Sequence, residues 1–272
     1  MPILFDEKNR VFKLDAKGFT YAFMVYQENY LVHLYAGAPI PDTDLSYLMY
    51  RGRFDSLSPY NTKVDDPHFS VDINPMEYPT SGAGDFRISA LSVRGEYGDA
   101  VTDIRYVSHK IYPGKPALPG LPATFDTHGT AQTLEVEALD GVTGVKVTLL
   151  YTVFEDYPVL ARSVRVENTG HAPVDLERVY SACLELPTMD LDLIHLYGKW
   201  AKENTTVRDP LHHGIQAIHS KRGMTGPNHN PFAALARHTA TEESGEVWGM
   251  NLIYSGNFAI DIEVDTRGCP RV

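Results

Sequence analysis

Apolar and polar residues alternate along most of the chain with a period of two, the spacing that sends successive side chains to opposite faces of a β-strand. The rhythm is plain in RVFKL (10–14), FTYAFMVY (19–26) and YLVHLYAG (30–37), each bounded by Gly, Asn or Asp. It returns over 86–112, where GEYGD supplies a turn, and again over 133–186. A last pair of strands is predicted over 245–264, turning at Ser255-Gly256-Asn257. No helix of ordinary length is predicted. The stretch YPGKPALPGLPATF (112–125) breaks the pattern, because proline fixes φ and lacks the donor a ladder needs. The same alternation on both sides of it favours a loop over a domain boundary. These features predict an all-β fold, a large two-sheet antiparallel β-sandwich fed by hairpins.

Composition changes this picture little. Hydrophobic residues make up 43% of the 272, charged residues 22% and aromatic residues 11% with 16 Tyr, as expected of a globular chain rich in strand formers. Charge excludes more. A formal net charge of −11, with Lys and Arg scattered rather than clustered, removes the main driving force for binding nucleic acid and favours a neutral or cationic partner. The N-terminal residues lack the basic start and apolar core of a secretion signal, and no stretch is apolar for about 18 residues, so a cytoplasmic protein without a membrane span is expected. Cys183 lies in an apolar run and Cys269 near the C-terminus, which suggests neither a disulfide framework nor a thiolate zinc site.

Several residues could carry chemistry. Asp190 and Asp192 share one face of a strand by their spacing, and Glu155 with Asp156 begin a turn, as paired carboxylates of a glycosidase must face each other about 5 to 9 Å apart. Solvated side chains at strand ends would look the same. His212, His213, His219 and His229 offer imidazoles for a metal, yet adjacent residues of a strand point to opposite faces, so His212 and His213 do not share an ion readily. A Ser220, His219, Asp209 grouping has no nucleophile elbow beside it. SGAGDFR (81–87) does not sit between a strand and a helix, which argues against a phosphate loop. No metal and no cofactor is predicted. What remains is Trp200 in GKWAKEN, a flat apolar face among Lys, Asn and His donors, the pairing that stacks on a sugar's C–H face and bonds its hydroxyls. Its polar neighbours place it in a loop, partly exposed.

Taken together, MEYPTSGAGDFR (76–87), VTDIRYVSHKIYPGKPALPGLPATF (101–125), TLEVEALDGVTGVKVTLLYTVFEDY (133–157), LARSVRVENTG (160–170), LIHLYGKWAKE (193–203), PLHHGIQAIHSKRGMTGPNHNPFAALAR (210–237) and GEVWGMNLIYSGNF (245–258) closely resemble the N-terminal β-supersandwich domain of the α-galactosidases of glycoside hydrolase family 36. The resemblance runs from about residue 20 to residue 265, which sets 1–265 as the domain and 266–272 as a tail foreign to the family. It implies hydrolysis of terminal α-linked galactose in melibiose- and raffinose-type oligosaccharides, with retention and without metal or cofactor. In that family both catalytic aspartates belong to a (β/α)8 barrel that follows the β-domain. This sequence has no KWD-type segment, since Lys199-Trp200 runs on to Ala201, so no catalytic residue is carried over and a chain truncated before the barrel is expected. Two substrate contacts are carried over. Trp200 matches the loop tryptophan of the family's GAWA stretch, with Lys199 in place of Ala, and Asp55 in RFDSLSP matches an aspartate ahead of a Ser-Pro pair. The resemblance also implies a homo-oligomer. The alternative function is a stand-alone module for weak sugar binding or for assembly.

Overall fold

Period-two sequences fold here as antiparallel strands throughout. A computed structural model describes residues 2–52 and 63–272, which fall into two compact units, one of residues 1–116 and 125–184, the other of 117–124 and 185–272. Among the described residues the only helical pieces are short 3-10 turns at Gln27–Asn29 and Ser46–Leu48, and no helix is long and apolar enough to cross a membrane.

In the first unit β1 (Ile3–Asp6), β2 (Val11–Ala16), β3 (Phe19–Val25) and β4 (Leu31–Gly37) form a meander. β5 (Leu91–Gly95) stands apart, and β6 (Ile104–Pro113), β7 (Ala131–Asp140), β8 (Val145–Phe154) and β9 (Leu160–Asn168) form a second meander. β10 (Val174–Val179) pairs with β5. Alternation decides which face is buried. Leu134, Val136 and Ala138 of β7 and Val147, Leu149 and Tyr151 of β8 pack with Phe12, Leu14, Tyr21 and Phe23 of β2 and β3 in one buried cluster, so the two meanders meet face to face as the expected sandwich. Glu135 and Glu137 take the other face of β7.

The second unit contains β11 (Asp192–Lys199), β12 (Lys202–Pro210), β13 (Gly214–Ser220), β14 (His229–Ala236), β15 (Val247–Asn251), β16 (Phe258–Val264) and β17 (Pro270–Arg271). They pair in the orders β12-β11-β14-β15 and β13-β16-β17. Residues 266–272 contain β17, and the buried Arg271 guanidinium donates to Glu185 at 2.6 and 3.0 Å.

Two predicted hairpins come out differently. GEYGD does turn, with the Gly95 amide bonded to the Asp99 carbonyl at 2.8 Å, but β5 and β6 do not pair. Residues 79–82 lie between them: the Ser81 amide bonds the Leu91 carbonyl and the Thr102 amide bonds the Ser81 carbonyl. A Cβ on Gly82 would come within 2.6 Å of the Ala100 carbonyl, so this wedge requires glycine there. Likewise β15 pairs with β14 and β16 with β13, so the turn at 255–257 carries the chain between sheets rather than closing a hairpin.

One charged group sits in the sandwich core. Backbone bonds from His33 N to Pro75 O and from Glu77 N to Leu31 O fasten residues 75–77 along β4 and leave the Glu77 carboxylate fully buried. It accepts from Tyr21 and Tyr151 at 2.8 Å, pairs with Arg162 at 3.0 Å and meets His33 Nδ1 at 3.2 Å. Burial alone would raise this carboxyl, but the Arg162 charge and the surrounding donors outweigh it and hold it below the usual range. The same burial and the nearby carboxylate drive the phenols of Tyr21 and Tyr151 well up, so both stay neutral donors.

Candidate functional site

The β11–β12 hairpin presents Trp200 at its tip with 91% of its surface exposed. A large indole in water is unfavourable by itself, so the informative question is what holds it there. Lys199 pairs with Lys202, leaving Trp200 and Ala201 as the turn, and Ala201 adopts a left-handed φ of +58°. That conformation costs a residue with a Cβ about 1 kcal/mol. Glu203 offsets it by accepting the Ala201 amide at 3.0 Å. A register shift between Tyr197 and Lys199 bulges the strand at Gly198, where a Cβ would lie 2.5 Å from the Lys202 carbonyl. Asn204, also left-handed at +56°, accepts from Asn230 Nδ2 of β14 at 2.7 Å, a link between the two strands that flank β11. Glycine, bulge and amide pair therefore hold the backbone from which the indole projects. Tyr197, partly exposed, lies just before the bulge.

The base of this sheet is charged. Asp192 is buried and accepts from Arg208 Nε at 2.6 Å, while His238 bonds Asp192 through Nδ1 at 2.6 Å and Asp190 through Nε2 at 2.9 Å. Both contacts are satisfied together only when each ring nitrogen carries a hydrogen. Arg208 also donates to the carbonyls of Arg237, His238 and Ala240. Burial would raise the Asp192 carboxyl, but the bonds from Arg208 and His238 prevail and lower it. Asp190 and Asp192 are thus brought together as their spacing predicts, with a histidine between them rather than space for a substrate. Higher on β11, His195 has a buried Nδ1 without a partner, and burial pushes the ring below its ordinary value.

The other candidates separate. His212 Nδ1 meets the His213 carbonyl and His213 Nδ1 meets the Asp265 carbonyl. His219 pairs with Asp261 at 2.5 Å rather than with Asp209, and Ser220 is buried, so no nucleophile relay forms. Among the described residues no three His, Cys, Asp or Glu side chains gather to hold a metal ion. In SGAGDFR the buried Arg87 bonds Asp85 and the carbonyls of Val71 and Asn74, which makes it a structural staple. Glu155 and Asp156 stand in the β8–β9 turn of the first unit. Asp55 lies outside the described residues. The supports of Trp200, namely Gly198, Glu203, Asn204 and Asn230, escape a sequence reading, although a non-glycine turn beside a Gly and two Asn was the signal available.

Comparison with known proteins gives one consistent answer. The profile of the Glycosyl hydrolase family 36 N-terminal domain matches residues 29–272. Alpha-galactosidase AgaA of Geobacillus stearothermophilus is 41% identical over 278 aligned residues, covering 100% of this chain and 37% of that protein. The crystal structure of the family 36 alpha-galactosidase AgaB of the same organism superposes with a TM-score of 0.94 at 40% identity, over 100% of this chain and 37% of that one. A variant of AgaA in complex with raffinose superposes at 0.92 and 42% identity, over 96% and 36%. The chain therefore spans little more than a third of the length of these relatives.

Proposed function

Because the chain belongs to the glycosyl hydrolase family 36 N-terminal domain family, we propose that it is the β-domain of an α-galactosidase acting on raffinose-type oligosaccharides, where Trp200 lines the sugar site. The observation that carries this reading is the 91% exposed indole at the tip of a braced hairpin. A hairpin tip held before the ligand arrives costs little backbone entropy on binding, and the indole face matches the C–H face of a pyranose. Asp55 is proposed as a second contact to the sugar hydroxyls.

Hydrolysis with retention needs two carboxyl groups about 5 to 5.5 Å apart across the sugar, one as nucleophile and one as acid. The pair singled out by its spacing, Asp190 and Asp192, is spanned by His238 and cannot also serve a glycosidic bond. The proposed division of labour is that residues elsewhere in a longer protein cleave the bond while this domain shapes one wall of the cavity and contributes to assembly of a cytoplasmic homo-oligomer. No cofactor enters.

Titration of raffinose against tryptophan fluorescence tests the reading. A saturable response on the order of 1 mM or weaker, lost in Trp200→Ala, is expected of one open stacking face. A response that persists without Trp200 would sink it. Turnover of an aryl α-galactoside by this chain, abolished by replacing one of its own carboxylates, would overturn the division of labour. Self-association without any sugar response would favour the assembly role alone.

A further inference from the structure

A second aromatic surface lies in the first unit, where β8 turns into β9. The pairing of Ala131 with Phe154 sets the loop of residues 125–130 beside the turn of residues 155–159. Across that junction the rings of Tyr157 and His128 stack, with planes 19° apart and centroids 6.3 Å apart. Tyr157 is 49% exposed, and Phe125 in the same loop is 79% exposed. Both backbones are held by hydrogen bonds within the chain. The Tyr157 amide bonds the Phe154 carbonyl, the Val159 amide bonds the Tyr157 carbonyl, and Pro158 restricts the backbone of Tyr157. Asp126 caps the amides of Thr130 and Ala131 at 3.1 and 3.2 Å. Asp156 then bridges the two segments by accepting from Thr130 Oγ1 at 3.3 Å, with His128 Nδ1 at 3.9 Å.

We propose that this ledge binds a pyranose ring of a neutral oligosaccharide, with the sugar's C–H face on the open face of Tyr157, backed by His128, and its hydroxyls donating to Asp156. The site goes beyond the Trp200 reading and does not depend on it. Three features select the ligand class. The open ring of Tyr157 gives a small flat face of sugar size rather than the broad apolar patch of a protein interface. The polar groups beside them are carboxylates and one hydroxyl, so they accept hydrogen bonds from a polyol and repel an anion. A quaternary cation is best held by several aromatic faces at once, and here one face of Tyr157 is already taken up by His128, leaving a single open face.

The test is NMR of the aromatic side chains of the protein titrated with raffinose. Saturable shifts of the Tyr157 and His128 ring signals are expected, with a dissociation constant on the order of 1 mM or weaker. Tyr157→Ala should abolish them, Tyr157→Phe should keep them, and Asp156→Asn should weaken binding by about tenfold, the loss of one hydrogen bond to a charged group. Trp200→Ala should leave them unchanged, so loss of the fluorescence response alone strikes the earlier reading and spares this one. The proposal fails if the ring signals do not move, if the His128 signals move equally in Tyr157→Ala, or if tetramethylammonium shifts them more strongly than raffinose does.

Discussion

Two charged clusters, one in each unit, use the same chemistry in opposite settings. Glu77 and Arg162 are sealed between the meanders, where two phenols and a histidine fill the remaining positions around the carboxylate. Asp192 and Arg208 stand at the edge of a sheet whose outer strand, β12, is mostly exposed. Both carboxyls are held below their ordinary range, in each case against a burial effect that acts the other way. The difference lies in what replaces a lost partner. Water can reach Asp192, whereas nothing but protein surrounds Glu77, so the same deletion has different costs.

The largest break in this comparison should come from Arg162→Met. Leaving Glu77 buried without its cation is expected to cost about 3–5 kcal/mol, read as a shift of the urea midpoint followed by circular dichroism. Glu77→Gln in the same background should recover part of that loss, since it removes the stranded charge. Acid comes next. Depressed carboxyls contribute stability that is fully present above the unfolded values of 3.8 for Asp and 4.5 for Glu and is lost as pH falls through the folded ones. The urea midpoint should hold from pH 7 to about 5 and then fall below about 4, and Asp192→Asn should flatten part of the fall. That substitution alone at pH 7 should cost about 1–2 kcal/mol, well under the Arg162 effect. Trp200 and Trp248, the only tryptophans, both lie in the second unit, so tryptophan fluorescence reads this change separately. Gly198→Ala should cost about 1 kcal/mol of strain and weaken any raffinose response, because the bulge must open to admit a Cβ. Smallest is Trp200→Ala, expected within about 0.5 kcal/mol of the parent in stability while removing the sugar response. A large stability loss there would show that the indole packs rather than projects.

How much of this was legible in the sequence depends on the range of the interaction. Strand existence was, because alternation is local: β2, β3, β4 and the β7–β8–β9 meander fall where RVFKL, FTYAFMVY, YLVHLYAG and residues 133–186 predict them. Pairing was not. GEYGD reads as a hairpin, and only the arrival of residues 79–82 from another part of the chain separates its strands. Trp200 was legible as an exposed turn residue from its polar neighbours, and the structure places it at a hairpin tip. The paired Asp190 and Asp192 looked like candidate catalysts because spacing shows that two carboxylates meet and is silent about His238, 46 residues from Asp192, which comes between them. Glu77 reads as one more charged residue in MEYPTSGAGDFR, and nothing near it in sequence announces Arg162.

The Glu77 carboxylate also imposes a schedule. Its partners come from β3, β4, β8 and β9, and Tyr21 is 141 residues from the Arg162 group that donates to it. During synthesis an acidic group destined for a dry interior waits for a guanidinium that emerges on the order of ten seconds later. Until then the N-terminal meander has an apolar face and no lid, which is the interval when aggregation competes with folding and when a chaperone would be of most use.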